Sequence, residues 1–155
     1  MIFTGYDCNK ITERLFIGAQ VCSDEHFQQI KDWGVTHIID AQQERDDTAF
    51  EPKNTQGLTI LWNPTQDDGV HPKPVLWVQN AVEFAMSALA HPGNIILTHC
   101  AAGVNLGPSL GYAVLRAQGF SKEHAEFIIR SNRPQVCLAY KDDVDLALVQ
   151  LGWTK

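Results

Sequence analysis

Cys100 is the residue of this chain best placed to do chemistry. It follows Ile95-Ile96-Leu97-Thr98-His99, which reads as a buried strand. It precedes Ala101-Ala102-Gly103-Val104-Asn105-Leu106-Gly107-Pro108-Ser109, a short Gly-bearing loop that runs into an apolar segment with helical spacing. Strand, loop and helix start in that order bring backbone N–H groups together around one point. Such a nest favours an anion, and so does the positive end of a helix. A thiol held there is set to be a thiolate, the nucleophilic form. Gly103 allows close approach of the backbone. The ordinary fate of a lone cysteine is an inert buried thiol, so it is the setting that argues for reactivity.

Asp67 and Asp68 are the second candidates, in Gln66-Asp67-Asp68-Gly69 upstream of Cys100. Two acids before a glycine also make a plain turn. Close to a thiolate, either one could protonate a leaving oxygen. Asp68 is slightly preferred.

The elements that must position these residues follow from apolar spacing. Strands are expected over 11–17, ended by Gly18, then over 35–39, 58–62 and 95–99. Helices are expected from Ser23 or Asp24 through Trp33, from Pro74 through Leu89, from about Pro108 to Gln118, from a Ser121 cap to Arg133-Pro134, and over 141–151. Alternating strands and helices predict an α/β layer, a mostly parallel central sheet with helices on both faces. Ligands in such sheets bind beyond the carboxyl ends of the strands. The Cys loop lies at such an end, as do the segments after Ile39 and Trp62, so three loops could share one rim. The polar stretch 41–57 is the longest of them. It is either a solvated connection or part of that rim.

Taken together, these residues resemble the His-Cys-x5-Arg signature of the cysteine-dependent tyrosine and dual-specificity phosphatases. The resemblance extends along the chain in order. It takes in Ile11-Thr12-Glu13-Arg14-Leu15-Phe16-Ile17-Gly18, Gly34-Val35-Thr36-His37-Ile38-Ile39-Asp40, the Asp-Asp-Gly loop, the His-Cys loop, and Arg133-Pro134-Gln135 before a helix. It implies a dual-specificity-phosphatase-like fold, residues 1–155 as one phosphatase-like domain, and a metal-free, cofactor-free reaction through a phosphocysteine. It also implies Cys100 as nucleophile, an Asp at 67 or 68 as general acid, His99 settling the thiolate, and Ala101, Ala102, Gly103, Val104, Asn105, Leu106 and Gly107 as the phosphate-binding loop. The departure is at 106, where the family's Arg should stand and this chain has Leu106. The hydroxyl residue that usually follows that Arg is replaced by Gly107.

Arg grips phosphate with a flat, permanently charged fork. A well-placed Arg is worth roughly 10³ to 10⁵ in phosphoryl transfer, which is on the order of 4 to 7 kcal/mol. Leucine offers neither donor nor charge. The nearest other guanidiniums by sequence are Arg116, Arg130 and Arg133, and Arg45 sits in the long polar loop. Three readings follow: a phosphatase strongly impaired by Leu106, a pseudophosphatase that holds phosphorylated or other anionic ligands without turnover, or a different thiol chemistry that uses the amides as an oxyanion hole.

Composition sets the outer bounds. The chain has 155 residues, enough for one sizeable core, and 45% hydrophobic content. A net charge of −6 argues against nucleic-acid or anionic-membrane surfaces. The partner that the phosphatase resemblance implies is a phosphorylated protein or a small phosphate ester. Cysteines 8, 22, 100 and 137 form no C-x-x-C pair. The start, Met1-Ile2-Phe3-Thr4-Gly5-Tyr6-Asp7, does not look like a signal peptide. A reducing, cytoplasmic setting is expected.

Overall fold

The computed structural model describes residues 5–155. The Met1–Thr4 part of the signal-peptide reading lies outside them. The order is β1 (Cys8–Thr12), β2 (Leu15–Gly18), α1 (Asp24–Asp32), β3 (His37–Asp40), a 3₁₀ turn (Asp47–Ala49), α2 (Pro52–Thr55), β4 (Thr59–Trp62), α3 (Val75–Leu89), β5 (Ile96–His99), α4 (Leu106–Ala117), α5 (Lys122–Asn132) and α6 (Lys141–Gln150). The five strands form one sheet in the order β1-β2-β5-β3-β4. Only the β1–β2 pair is antiparallel.

Alternation along the strands builds a core on each face of the sheet. Ile17, Ile39 and Ile96 point into the larger cluster, with Trp77, Val78 and Val82 of α3, Leu110 and Val114 of α4, Ile129 of α5 and Leu148 of α6. Phe16, Ile38 and Leu97 point the other way, onto Phe27 and Ile30 of α1. Helices therefore cover both faces, as the patterning implies. No helix among the described residues is long and apolar enough to cross a membrane.

Three expectations need correction. The segment expected as one strand over 11–17 is instead the bend of a hairpin, the end of β1 and the start of β2. The chain reverses at Glu13-Arg14, where the Thr12 hydroxyl accepts the Arg14 N–H at 3.2 Å and Arg14 donates to the Asn94 and His91 carbonyls. Helix α4 begins at Leu106 rather than Pro108. Pro108 is tolerated there because first-turn N–H groups have no partner to lose. The 41–57 segment is no plain solvated connection, for it carries two helical turns and buries Ala41, Gln42 and Asp47.

The register sets up the site. His99 pairs with Gly18 on one side and Asp40 on the other, and Asp40 pairs with Trp62. The strands thus end in one row, and the segments after Gly18, Asp40, Trp62 and His99 leave from the same edge of the sheet.

Candidate active site

Between β5 and α4 the chain curls through residues 100–105, and four consecutive carbonyls, those of Ala101 to Val104, are tied down from outside. The Ala101 carbonyl accepts from the Gln20 N–H at 3.0 Å and that of Val104 from the Cys137 N–H at 2.8 Å. The carbonyls of Ala102 and Gly103 accept from the Arg133 guanidinium at 3.2 and 2.8 Å. In a trans peptide the N–H points opposite to the C=O. Four carbonyls held outward therefore turn the N–H groups of Ala102 to Asn105 inward, where they meet no acceptor among the described residues. Leu106 and Gly107 add the free first turn of α4. Cys100 stands at the base of this cup, 3% exposed, with Ala101 and Ala102 exposed at its mouth.

Two glycines permit the curl. Gly103 has φ +68°, and a Cβ there would collide with Arg133 and come within 2.8 Å of the Gly18 backbone. At Gly107 a Cβ would lie 2.9 Å from the Cα of His99, because α4 starts hard against the end of β5. The Thr98 hydroxyl reinforces that contact, donating to the Gly107 carbonyl at 2.7 Å. Ser109 is buried, with no partner for its hydroxyl.

Leu106 points into the apolar interior. It is 3% exposed and belongs to the larger core cluster with Leu110, Ala113 and Cys100. The other guanidiniums are committed. Arg133 is fully buried, and besides the two loop carbonyls it binds Asp7 and Asn9 at 2.8–3.2 Å. It shapes the cup from behind. Arg45 donates to the Val21 carbonyl and lies over the Phe50 ring. Arg116 pairs with Asp145 and Arg130 with Glu126.

The 63–73 segment is latched to the cup through Asp67. Its Oδ1 accepts from the Tyr140 hydroxyl at 2.8 Å and from Asn105 Nδ2 at 3.3 Å. Tyr140 also accepts the Gly69 N–H at 2.6 Å, and the Lys73 ammonium sits over its ring at 4.6 Å. Burial, with the Asp67 carboxylate adding to it, pushes the Tyr140 hydroxyl up to about 12, so it remains a donor. Asp68 is spent on its own turn. It accepts the Val70 and His71 N–H groups and the His71 ring, and the His71 contact leads in holding it well below the carboxylate range.

Behind Cys100, His99 Nε2 meets Asp47 Oδ2 at 2.5 Å and Asp40 Oδ1 at 3.8 Å, and all three side chains are fully buried. Asp40 in turn accepts the Gln42 and Asp47 N–H groups. This is the one trio of donors among the described residues close enough to suggest a cation. Two ligands of a metal such as zinc sit about 3 Å apart or more, each roughly 2 Å from the ion. At 2.5 Å the Nε2–Oδ2 contact is that of a hydrogen bond. Burial lowers the tendency of His99 to charge, but the Asp47 bond and the two carboxylate charges overcome it and raise its pKa.

Comparison with known proteins fits this geometry. No family model matches the sequence. Dual specificity protein phosphatase 26 of Bos taurus is 31% identical over 126 residues, covering 74% of this chain and 56% of that protein. The Homo sapiens protein of the same name is 29% identical over the same span. This chain belongs to the dual-specificity and tyrosine phosphatase family. It spans about half the length of the curated phosphatases it matches. Human DUSP28 has the same fold, with a TM-score of 0.76 at 17% identity over 94% of this chain and 95% of that one. So does the human tyrosine phosphatase-like serine/threonine/tyrosine-interacting protein, at 0.77 and 18% over 94% and 98%. PTPMT1, in complex with PI(5)P, scores 0.73 at 20% over 93% and 98%.

Within this phosphatase scaffold, sequence reading brought Cys100, His99 and the loop to one place. It missed Asp40, Asp47, Tyr140 and the inward face of Arg133. A buried acid in a polar stretch leaves no periodic signal, and Arg133-Pro134 reads only as a helix end.

Proposed function

We propose that the chain is a phosphate monoester hydrolase of the dual-specificity type whose turnover is strongly reduced by Leu106. The observation that carries this is the cup itself: inward amides around Cys100, with every nearby guanidinium held elsewhere. The Cys100 thiolate attacks phosphorus in line, so the S–P bond forms as the P–O ester bond breaks. Asp67 gives its proton to the departing oxygen. Both donors on Asp67 occupy Oδ1, which leaves Oδ2 to carry that proton. This favours Asp67 over Asp68, whose carboxylate is held ionised by its own turn. Asp67, now ionised, then takes a proton from water as water cleaves the phosphocysteine. Amides and the His99 charge remain to balance the phosphoryl oxygens, but the bidentate fork is absent.

The substrate is a phosphorylated protein or a small phosphate ester. A thiolate enzyme suits a reducing, cytoplasmic setting, and all four cysteines are free. The burial of Leu106 also favours a second reading, a pseudophosphatase that binds phosphorylated or other anionic ligands without turnover. Leu106→Arg tests both. Hydrolysis of a small aryl phosphate should rise roughly 10³- to 10⁵-fold, and Cys100→Ser should abolish the gain. An arginine variant as slow as the parent, in a parent that binds phosphate, leaves the second reading.

A further inference from the structure

The mechanism leaves one costly feature unexplained: an imidazole and two carboxylates with no exposed surface, brought together from three places in the chain. Apolar side chains would close the 41–57 segment onto the sheet more cheaply, since buried ions are seldom net stabilising. What these residues do that apolar ones could not is hold a proton beside the nucleophile. His99 is bonded in sequence to Cys100. Asp47 reaches it from the 3₁₀ turn, and the N–H of the same Asp47 is fastened to Asp40 at the end of β3. Asp47 Oδ1 and His99 Nδ1 have no hydrogen-bond partner, so the Nε2–Oδ2 bond is the one that ties the carboxylate to the ring.

We propose that Asp47 is a positioning residue for Cys100: carried in on the 41–57 segment, its carboxylate fixes the His99 imidazole as the cation behind the thiolate. Asp40 is the second anchor, holding the Asp47 backbone in place. The titratable groups around the ring are Asp40 from β3, Asp47 from the 3₁₀ turn and Cys100 after β5. Tyr6, ahead of β1, also feels Asp47 and Cys100, and its hydroxyl, raised chiefly by burial, is bonded to the Ala19 carbonyl. None but His99 carries positive charge against the thiolate from within this group; Arg133 lies behind the loop carbonyls. The proposal rests on Cys100 being a nucleophile, but not on phosphate turnover.

Two measurements on the full chain test it. In ¹⁵N-histidine NMR, assigned with His99→Gln, both ring nitrogens of His99 should be protonated at pH 6, with a midpoint above that of ordinary imidazole. In Asp47→Asn the midpoint should fall below the ordinary value, because burial then acts with one counter-charge fewer. Alkylation of Cys100 by iodoacetamide at the same pH, mapped by mass spectrometry and referenced to the exposed Cys22 and Cys137, should slow roughly threefold or more in Asp47→Asn. A neutral His99 in the parent overturns the proposal, and that measurement needs no variant to fold. An Asp47→Asn protein with His99 neutralised but Cys100 alkylated at the parent rate also overturns it, reducing Asp47 to a loop anchor. Neither readout uses hydrolysis, so an inactive Leu106→Arg protein would count against the phosphatase reading alone.

Discussion

Gly103→Ala tests whether the cup is held in the way described. Two costs add at this position. A side chain at φ +68° pays the left-handed penalty, about 1–2 kcal/mol. The new methyl would also collide with Arg133 and lie 2.8 Å from the Gly18 carbonyl carbon and oxygen. Overpacking of that kind costs typically 1–3 kcal/mol. Gly93 provides the control, since it has φ +91° but nothing within 4 Å of its would-be Cβ. Gly93→Ala should therefore show the first cost alone. By urea or guanidinium unfolding, Gly103→Ala should be less stable than Gly93→Ala by roughly 1–3 kcal/mol, with both still folded because domains carry about 5–15 kcal/mol. Equal losses in the two variants would mean that Arg133 and Gly18 do not press on residue 103, and the outward anchoring of the loop carbonyls would go with them.

Two further outcomes follow from the site. In the Leu106→Arg protein, Tyr140→Phe should slow a phenyl-type phosphate by roughly tenfold, a part of the 10²–10⁴ that general acids supply, and leave a dinitrophenyl phosphate nearly untouched because that leaving group needs no proton. Equal slowing of both substrates would remove Tyr140 from the placement of Asp67. The second outcome concerns pH. Burial, only partly offset by His99, raises Asp40 from 3.8 to about 6, and His99 is raised as well, so the folded chain binds these protons more tightly than the unfolded one. Stability from Asp40 is therefore full below about pH 4 and lost as pH rises through about 6; that from His99 is lost above its ordinary range. Measured by denaturant unfolding, the stability of the parent relative to Asp40→Asn should fall across that interval. A difference that stays flat or grows would contradict the buried state of Asp40.

How far the sequence carried the argument depends on the kind of signal. Apolar runs such as Val35–Ile39 and Ile95–His99 located four strand regions and both faces of the sheet, because burial imposes a period. The hairpin at Glu13-Arg14 was invisible: Ile11 to Ile17 contains no glycine, proline or asparagine to mark the reversal, which is stabilised instead by contacts to Asn94 and His91 far along the chain. The cup was legible at Cys100 and Gly103, where residue type and spacing coincide. Its supports were not. Arg133 touches Gly103 across 30 positions and Asp7 across 126. Tyr140 finds Asp67 across 73. Polar residues that pair over such distances carry no local mark, and Asp47 lies in a stretch whose composition suggests solvent. Between Asp67 and Asp68 composition could not choose; in the fold Asp67 holds Tyr140 and Asn105, and Asp68 holds its own turn.

The anchoring of the loop has a consequence for biosynthesis. The carbonyls of Ala102, Gly103 and Val104 are turned outward by Arg133 and Cys137, which lie well downstream of Cys100. A ribosome must release those residues before the amides can face inward. A nascent chain ending soon after α4 would hold Cys100 without those outward anchors, and the loop would take its final shape only once the end of α5 and the segment after it have docked.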